Sequence, residues 1–460
     1  MRRSGGKRQE SAGHRVNPPT AIADVETRVA HKLRVRILPF VMLLYFVSFL
    51  DRVNVGFAAF SMSQDIGLTA SMFGFGSGVF FLGYVLFQVP SNLMLLRVGA
   101  RVWIARVVIA WGLVSIASAF VVGPYSFYAM RFLLGLAESG FFPGTLLYLS
   151  LWFPARYRAA AIAFFMAAAP LSTAIGSPIS GALMELPKFW GLMNWQWLYI
   201  IEALPAIFLG LLTFKVLTDK PEDARWLDDE ERAWLAQTLE AERVESRKQT
   251  GKRSIKGSEV MTALCDPRVL ALALVYSGGS AGLYVLGFWS PLILKQYGYA
   301  ALTIGWLNSV PSFLAIVAMI LWARHSDQTL ERTWHVAIAS FVTCIGFAWA
   351  GWATAAIPVI LGLTVANIGV NSTKGPVWAM PSMFLTGASA AAGIAMINSM
   401  GNFGGFIGPV VVGWLKDKLG SYAGGLYVVG AMMALSAVVV VLLSRHTIQP
   451  EAVPDSDVRS

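Results

Sequence analysis

Charge is scarce in this 460-residue chain. Asp, Glu, Lys and Arg make up 13% of it, about half the share usual in a soluble domain, so a fold solvated on all sides is excluded. Cysteine is nearly missing: Cys265 and Cys344 stand far apart without motif spacing, and neither a disulfide framework nor a thiolate metal site is expected. The five histidines include none deep within an apolar run. With no nucleophile–base pair and no cofactor loop, enzyme chemistry is not expected, nor is a metal or cofactor. The net charge of +10 is spread over loops and the N-terminus rather than gathered in a patch, which argues against nucleic acid as a partner. Residues 1–36 lack a short apolar core followed by a small-residue cleavage site, so they read as an uncleaved tail and not a signal peptide.

Hydrophobic residues are what the chain has in excess, at 56%. They fall in twelve runs, at 37–60, 72–96, 103–123, 125–152, 159–184, 195–217, 268–294, 303–323, 334–354, 357–384, 390–414 and 421–444. Each is near the length of about 20 residues that crosses a bilayer as a helix. The expected fold is an all-α membrane protein of twelve transmembrane helices in two six-helix bundles related by a pseudo-two-fold axis. Lys and Arg crowd the tail and the 2–3, 4–5 and 8–9 loops and are missing from the 1–2, 3–4 and 9–10 loops. By the positive-inside rule both termini are expected in the cytoplasm.

Composition also divides the chain. A tail (1–36), a first bundle (37–218), a charged linker (219–266), a second bundle (267–444) and a tail (445–460) are expected. The linker predicts a surface helix near Asp228–Glu245, with Asp228 and Glu231 as a capping box, and reads as the hinge between the bundles. The halves repeat. Ile162-Ala163 matches Ile394-Ala395 at an offset of 232, as do Ile175-Gly176 with Ile407-Gly408 and Gly181 with Gly413, while Arg101 falls on Arg332 at 231. A parallel repeat of this kind places a transporter's substrate site between the halves, near the midplane.

Ionisable groups inside two spans mark the functional region, because charges at bilayer depth are costly and face a wet interior. Asp51 and Arg52 are adjacent in the first span; Arg131 and Glu138 lie seven residues, nearly two turns, apart in the fourth. A rise of about 1.5 Å per residue lets Asp51 and Arg131 share a level. Asp51 is expected to be held ionised by Arg52 or Arg131. Glu138, further from a neighbouring Arg in sequence, is expected to carry the proton. A static salt-bridge network that only orders the helices is the competing reading.

The stretches SFLDRVNVGFA in span one, FFLGYVLFQVPSNLMLLRVGAR in span two, RFLLGLAESGFFPGTLLYLSLWFP in span four, DKPEDARWLDDEERAWL after span six and GPVWAMPSMFLTGASAAAGIAMINSMGNFGGFIGP in spans ten and eleven resemble the major facilitator superfamily over nearly the full length. Within it the chain is similar to the anion:cation symporters, which import organic anions with protons. The resemblance implies proton coupling by Asp51 and Glu138, with Arg131 in coupling or substrate binding, and a substrate carboxylate on Arg52. It places Tyr84 on the cavity wall, one turn from Gln88, and gives Trp378 a similar place; packing is the competing reading for each. Asn398 and Asn402 share a face of span eleven and can bind a carboxylate or hydroxyl, or bind helix to helix. Of the superfamily's loop signature, Arg97 and Arg101 remain in the first copy, with Leu96 in place of the acid. Asp327 and Arg332 remain in the second, with Gln328 at the usual arginine. These four are expected to lock the halves together in one state.

Lys374, within NSTKGPVW, departs from the family pattern. It is either a second cation facing Arg52, which suits a dicarboxylate, or a charge that satisfies carbonyls where Gly375-Pro376 breaks the helix. The expected function is proton-coupled import of a small organic anion, a dicarboxylate such as tartrate or an aromatic carboxylate, by alternating access. The alternatives are a sugar-acid symporter of the same family and a drug-efflux antiporter. The expected partners are the anion, a proton rather than sodium and the lipid bilayer, with the protein a monomer in the inner (plasma) membrane.

Overall fold

The computed structural model describes residues 18–250, 265–384 and 387–447. Among them lie twelve candidate membrane spans, long and apolar enough to cross a bilayer, and no named strands. The first span follows a polar helix, α1 (Pro18–Arg36), and is split into α2 (Leu38–Val53) and α3 (Val55–Asp65). Spans two and three are α4 (Ala70–Val98) and α5 (Ala100–Ser118); span four is α6 (Pro124–Glu138) and α7 (Phe141–Trp152). Span five is α8 (Ala155–Met166) and α9 (Ala168–Leu183), and span six is α10 (Asn194–Val216). After the linker helix α11 (Asp229–Thr250) come α12 (Pro267–Lys295), α13 (Ala301–Thr329), α14 (Thr333–Trp352), α15 (Ala356–Ala379), α16 (Gly387–Leu419) and α17 (Ala423–Thr447).

The breaks have local causes. Pro170 has no N–H to offer the carbonyl of Met166, where α8 ends. At the α6–α7 joint the Ser139 hydroxyl bonds back to the Leu136 carbonyl at 2.8 Å, which bends helices. Gly140 there lies against Ser91 so closely that a Cβ would collide with its hydroxyl.

The halves meet along a seam that repeats itself. Gly74 abuts the Pro409 carbonyl, and Gly305, at an offset of 231, abuts that of Ser177. Gly413 abuts Ala70, and its counterpart Gly181 abuts Ala301. Asp417 accepts hydrogen bonds from the amides of Ala70 (3.2 Å) and Ser71 (2.7 Å) at the start of α4. Glu185 accepts one from Leu302 (3.0 Å) at the start of α13. Each contact and its partner are separated by the offsets of the sequence repeat, so the pseudo-two-fold is written into the interface. All of these contacts lie toward the membrane face opposite the linker.

The polar regions on the linker side are better packed than their composition suggests. In α1, Val25, Val29 and Leu33 are buried, as are Leu235 and Leu239 of α11. Lys32 pairs with Glu231 at 2.5 Å and Arg158 with Glu242 at 2.9 Å. Asp228 and Glu231 form the reciprocal cap, with Glu231 N to Asp228 Oδ1 at 2.8 Å and Asp228 N to Glu231 Oε2 at 3.0 Å. Charges of both signs along α11 suggest a solvated face; the helix keeps one, and its apolar positions Leu235 and Leu239 dock the other face on the N-terminal half.

Candidate functional site

Adjacent residues on a helix point about 100° apart, and α2 uses that divergence. Arg52 turns toward the interface between the halves. It donates to Glu138 Oε2 from Nη2 at 2.6 Å and from Nε at 3.2 Å, and from Nη1 to the Tyr284 hydroxyl at 2.9 Å. Its guanidinium lies over the rings of Phe80 (5.0 Å) and Tyr84 (5.3 Å). Asp51 turns the other way and accepts from the Ser115 hydroxyl at 3.0 Å. Its Oδ2 has no hydrogen-bond partner among the described residues.

The pairing within the cluster thus differs from that expected. Glu138, not Asp51, holds the arginine. Arg131 makes no hydrogen bond among the described residues and is held instead over Phe80 (5.3 Å) and Phe288 (5.8 Å). Cation–π contact with two rings partly offsets the cost of burying it. All four ionisable groups are buried. Of the four, Arg52 alone lines the central cavity; the other three stand behind it.

That cavity has a volume of about 70 Å³. From the N-terminal half come Tyr45, Phe49, Arg52 and Tyr84, and from the C-terminal half Tyr276, Tyr284, Lys374, Trp378, Asn398 and Asn402. Tyr45 precedes Arg52, and Tyr276 precedes Tyr284, in spans that begin on the linker side, so the cavity runs from the arginine toward that side. No Asp or Glu lines it among the described residues. Trp378 meets the Tyr276 ring edge to face at 4.9 Å, and Asn402 Nδ2 donates to the Asn398 carbonyl at 2.9 Å. Lys374 Nζ donates to Asn371 Oδ1 at 2.8 Å.

Gln88 does not reach the cavity. It is buried one turn beyond Tyr84 and its Oε1 has no partner among the described residues. Nor do the loop charges bridge the halves in this structure. Arg101 pairs with Asp219 at the start of the linker at 3.5 Å, Arg332 pairs with Asp327 in the last turn of α13 at 2.6 Å, and Arg97 is exposed. Arg101 and Arg332 each find an acid locally, so neither is left to cross. Beside them, His325 Nδ1 lies 2.8 Å from His335 Nε2, and His335 Nδ1 lies 2.9 Å from Glu331. Glu331, in the loop, is held below the usual carboxylate range: burial opposes this, but the amide of Trp334 and His335 outweigh it.

Tyr284 and Ser48, which reaches Glu138 Oε2 at 3.4 Å, escaped the sequence reading. The repeat contained a signal for the first, since Tyr284 lies 232 residues after Arg52, and equivalent positions near a two-fold axis touch each other.

A family model described as the Major Facilitator Superfamily matches residues 41–409. A protein of Agrobacterium vitis described as "Putative tartrate transporter" is 57% identical over 92% of this chain and 96% of its own. The "Quinolone resistance transporter" of Acinetobacter baumannii is 38% identical over 89% of this chain and 93% of its own. Among solved structures, a D-xylose–proton symporter superposes with a TM-score of 0.71 at 15% identity, covering 88% of this chain and 97% of that one.

Proposed function

The chain belongs to the major facilitator superfamily, a multi-pass membrane transporter and not an enzyme, and from that premise we propose that it imports a small organic anion together with protons. The observation that carries the proposal is the 2.6 Å contact of Arg52 with Glu138 at the wall of a cavity that Lys374 reaches from the other half. Within the protein the arginine fork is spent on Glu138. A substrate carboxylate competes for that fork, since bidentate pairing with Arg is the strongest recognition on offer. Glu138, released, takes up the proton. Anion and proton then each favour the other's binding, as reciprocal coupling requires. Asp51 is the second proton-coupling acid, and Arg131 sets the field that both acids experience.

Arg52 binds one carboxylate and Lys374 a second, while Tyr84, Trp378, Asn398 and Asn402 shape the space between. Two cations, and no lining acid among the described residues, favour a dicarboxylate such as tartrate over a sugar acid, which would want more amides and hydroxyls. The same absence disfavours the efflux of cationic drugs. The basic loops support placing both termini in the cytoplasm and the protein in the inner membrane.

Purified protein in liposomes is expected to accumulate its anion under an inward proton gradient. Glu138→Gln is expected to abolish gradient-driven accumulation and keep substrate exchange. Full gradient-driven uptake by that variant overturns the role of Glu138. A thermal-shift screen against carboxylates identifies the substrate, because only a ligand of the folded form raises the melting point.

A further inference from the structure

We infer that Asn371 is a specificity-determining residue: it presents Lys374 as an uncompensated cation, at the end of a one-way chain of hydrogen bonds, to the second carboxylate of a dicarboxylate. The inference rests on the reading of the cavity as an organic-anion site and adds the groups that make it prefer two charges to one.

Lys374 has no ion-pair partner among the described residues. Its ammonium group carries three donors, and one is spent on Asn371 Oδ1 at 2.8 Å. Which way the Asn371 amide points follows from its neighbours. Ser312 gives its one proton to the Asn308 carbonyl at 2.9 Å, so toward Asn367 it accepts, from Nδ2 at 3.3 Å. Asn367 is thereby left with Oδ1 free to accept, and it does so from Asn371 Nδ2 at 2.8 Å. The same Nδ2 also donates to the Asn367 backbone carbonyl at 2.9 Å. Asn371 has its donors engaged behind it, and its carbonyl oxygen faces the lysine.

The chain extends to a second cavity of about 40 Å³, which Ser290, Asn308, Ser312 and Asn367 line. Helix packing alone does not call for this arrangement. Apolar residues would join α13 and α15 without the need to satisfy every buried amide. A row of neutral amides, each with its acceptor turned toward the lysine end and Asn371 Oδ1 on the ammonium itself, solvates that charge and supplies none of its own. The countercharge is left to the ligand. A monocarboxylate satisfies Arg52 and leaves Lys374 unpaired; a dicarboxylate satisfies both.

The test compares binding of succinate and butyrate, equal in carbon number, to the purified full-length protein and to Asn371→Asp. The substitution gives Lys374 a resident carboxylate in the same space. The wild type is expected to bind succinate about tenfold or more tighter than butyrate, as a close desolvated charge pair warrants. In N371D that ratio is expected to fall toward one, with butyrate affinity held within about twofold. An unchanged ratio in N371D overturns the inference. So does a wild type that binds the two equally, and in that case the anion-site reading survives. A wild type that binds no carboxylate overturns both. If N371D does not fold, Asn367→Leu, which lies outside the central cavity, is measured instead. It removes the acceptor that orients Asn371, and the ratio is expected to fall at least about threefold; no change overturns the inference.

Discussion

A single guanidinium decides most of what the site can do. Arg52 meets Glu138, the Tyr284 hydroxyl and two aromatic faces, and it alone of the buried ionisable cluster opens on the cavity. Arg52→Met leaves the Glu138 carboxylate buried without its cation, a loss of about 3–5 kcal/mol for comparable pairs. A large fall in melting temperature is expected. The double change Arg52→Met with Glu138→Leu removes both charges and is expected to recover most of that stability while transport stays abolished. Thermal melts and uptake assays on the single and double variants check this. A double variant no more stable than the single one refutes the account of the pair. The arginine and glutamate were both legible in the sequence, because charge inside an apolar run is conspicuous. Which acid meets which base was not, since that depends on how two neighbouring residues of α2 divide between α5 and α6.

At the scale of elements, α11 is the instructive helix. Its start was readable from Asp228 and Glu231, a local motif closed by two side chains and two amides three residues apart. Its docking was not, because Lys32 and Glu231 are brought together across 199 residues. Glu231→Ala removes the Glu231 half of the reciprocal cap and the Lys32 pair together. A destabilisation of about 1–2 kcal/mol is expected, along with faster proteolytic cleavage of the linker. Asp228 titrates below the usual carboxylate range because the Glu231 amide donates to it. A depressed carboxyl contributes stability above its unfolded value and loses it as pH falls through the folded one. The linker is therefore expected to become more protease-sensitive on acidification below the ordinary carboxylate range, and Asp228→Asn is expected to flatten that dependence.

The whole molecule is governed by the seam between its halves. On the side away from the linker the seam is closed by backbone approaches at Gly74, Gly181, Gly305 and Gly413 and by two carboxylates on helix N-termini, Asp417 and Glu185. An exposed carboxylate at a helix N-terminus is worth about 0.3–1 kcal/mol. The pair Asp417→Asn and Glu185→Gln is therefore expected to shift the balance toward opening on that side by about 3- to 30-fold. Alkylation of a cysteine placed in the closed vestibule reads this directly, and an unchanged rate refutes the gate. Gly74→Leu acts more strongly, since the facing Pro409 backbone cannot yield. Its reactivity is expected to rise further.

What the sequence determined by itself was whatever depends on neighbours along the chain: twelve apolar runs, a capping box, a repeat offset and four charges where lipid forbids them. These are statements about local period, length and solvation, and they hold before the chain has folded. The tertiary structure decided which of those charges are partners. It gave Glu138 to Arg52, left Asp51 with Ser115, kept Gln88 behind the wall, and tied Arg101 to Asp219 and Arg332 to Asp327. Pairing is a matter of a few ångströms between helices distant in sequence, and a one-residue rotation on a helix, about 100°, is enough to change the partner.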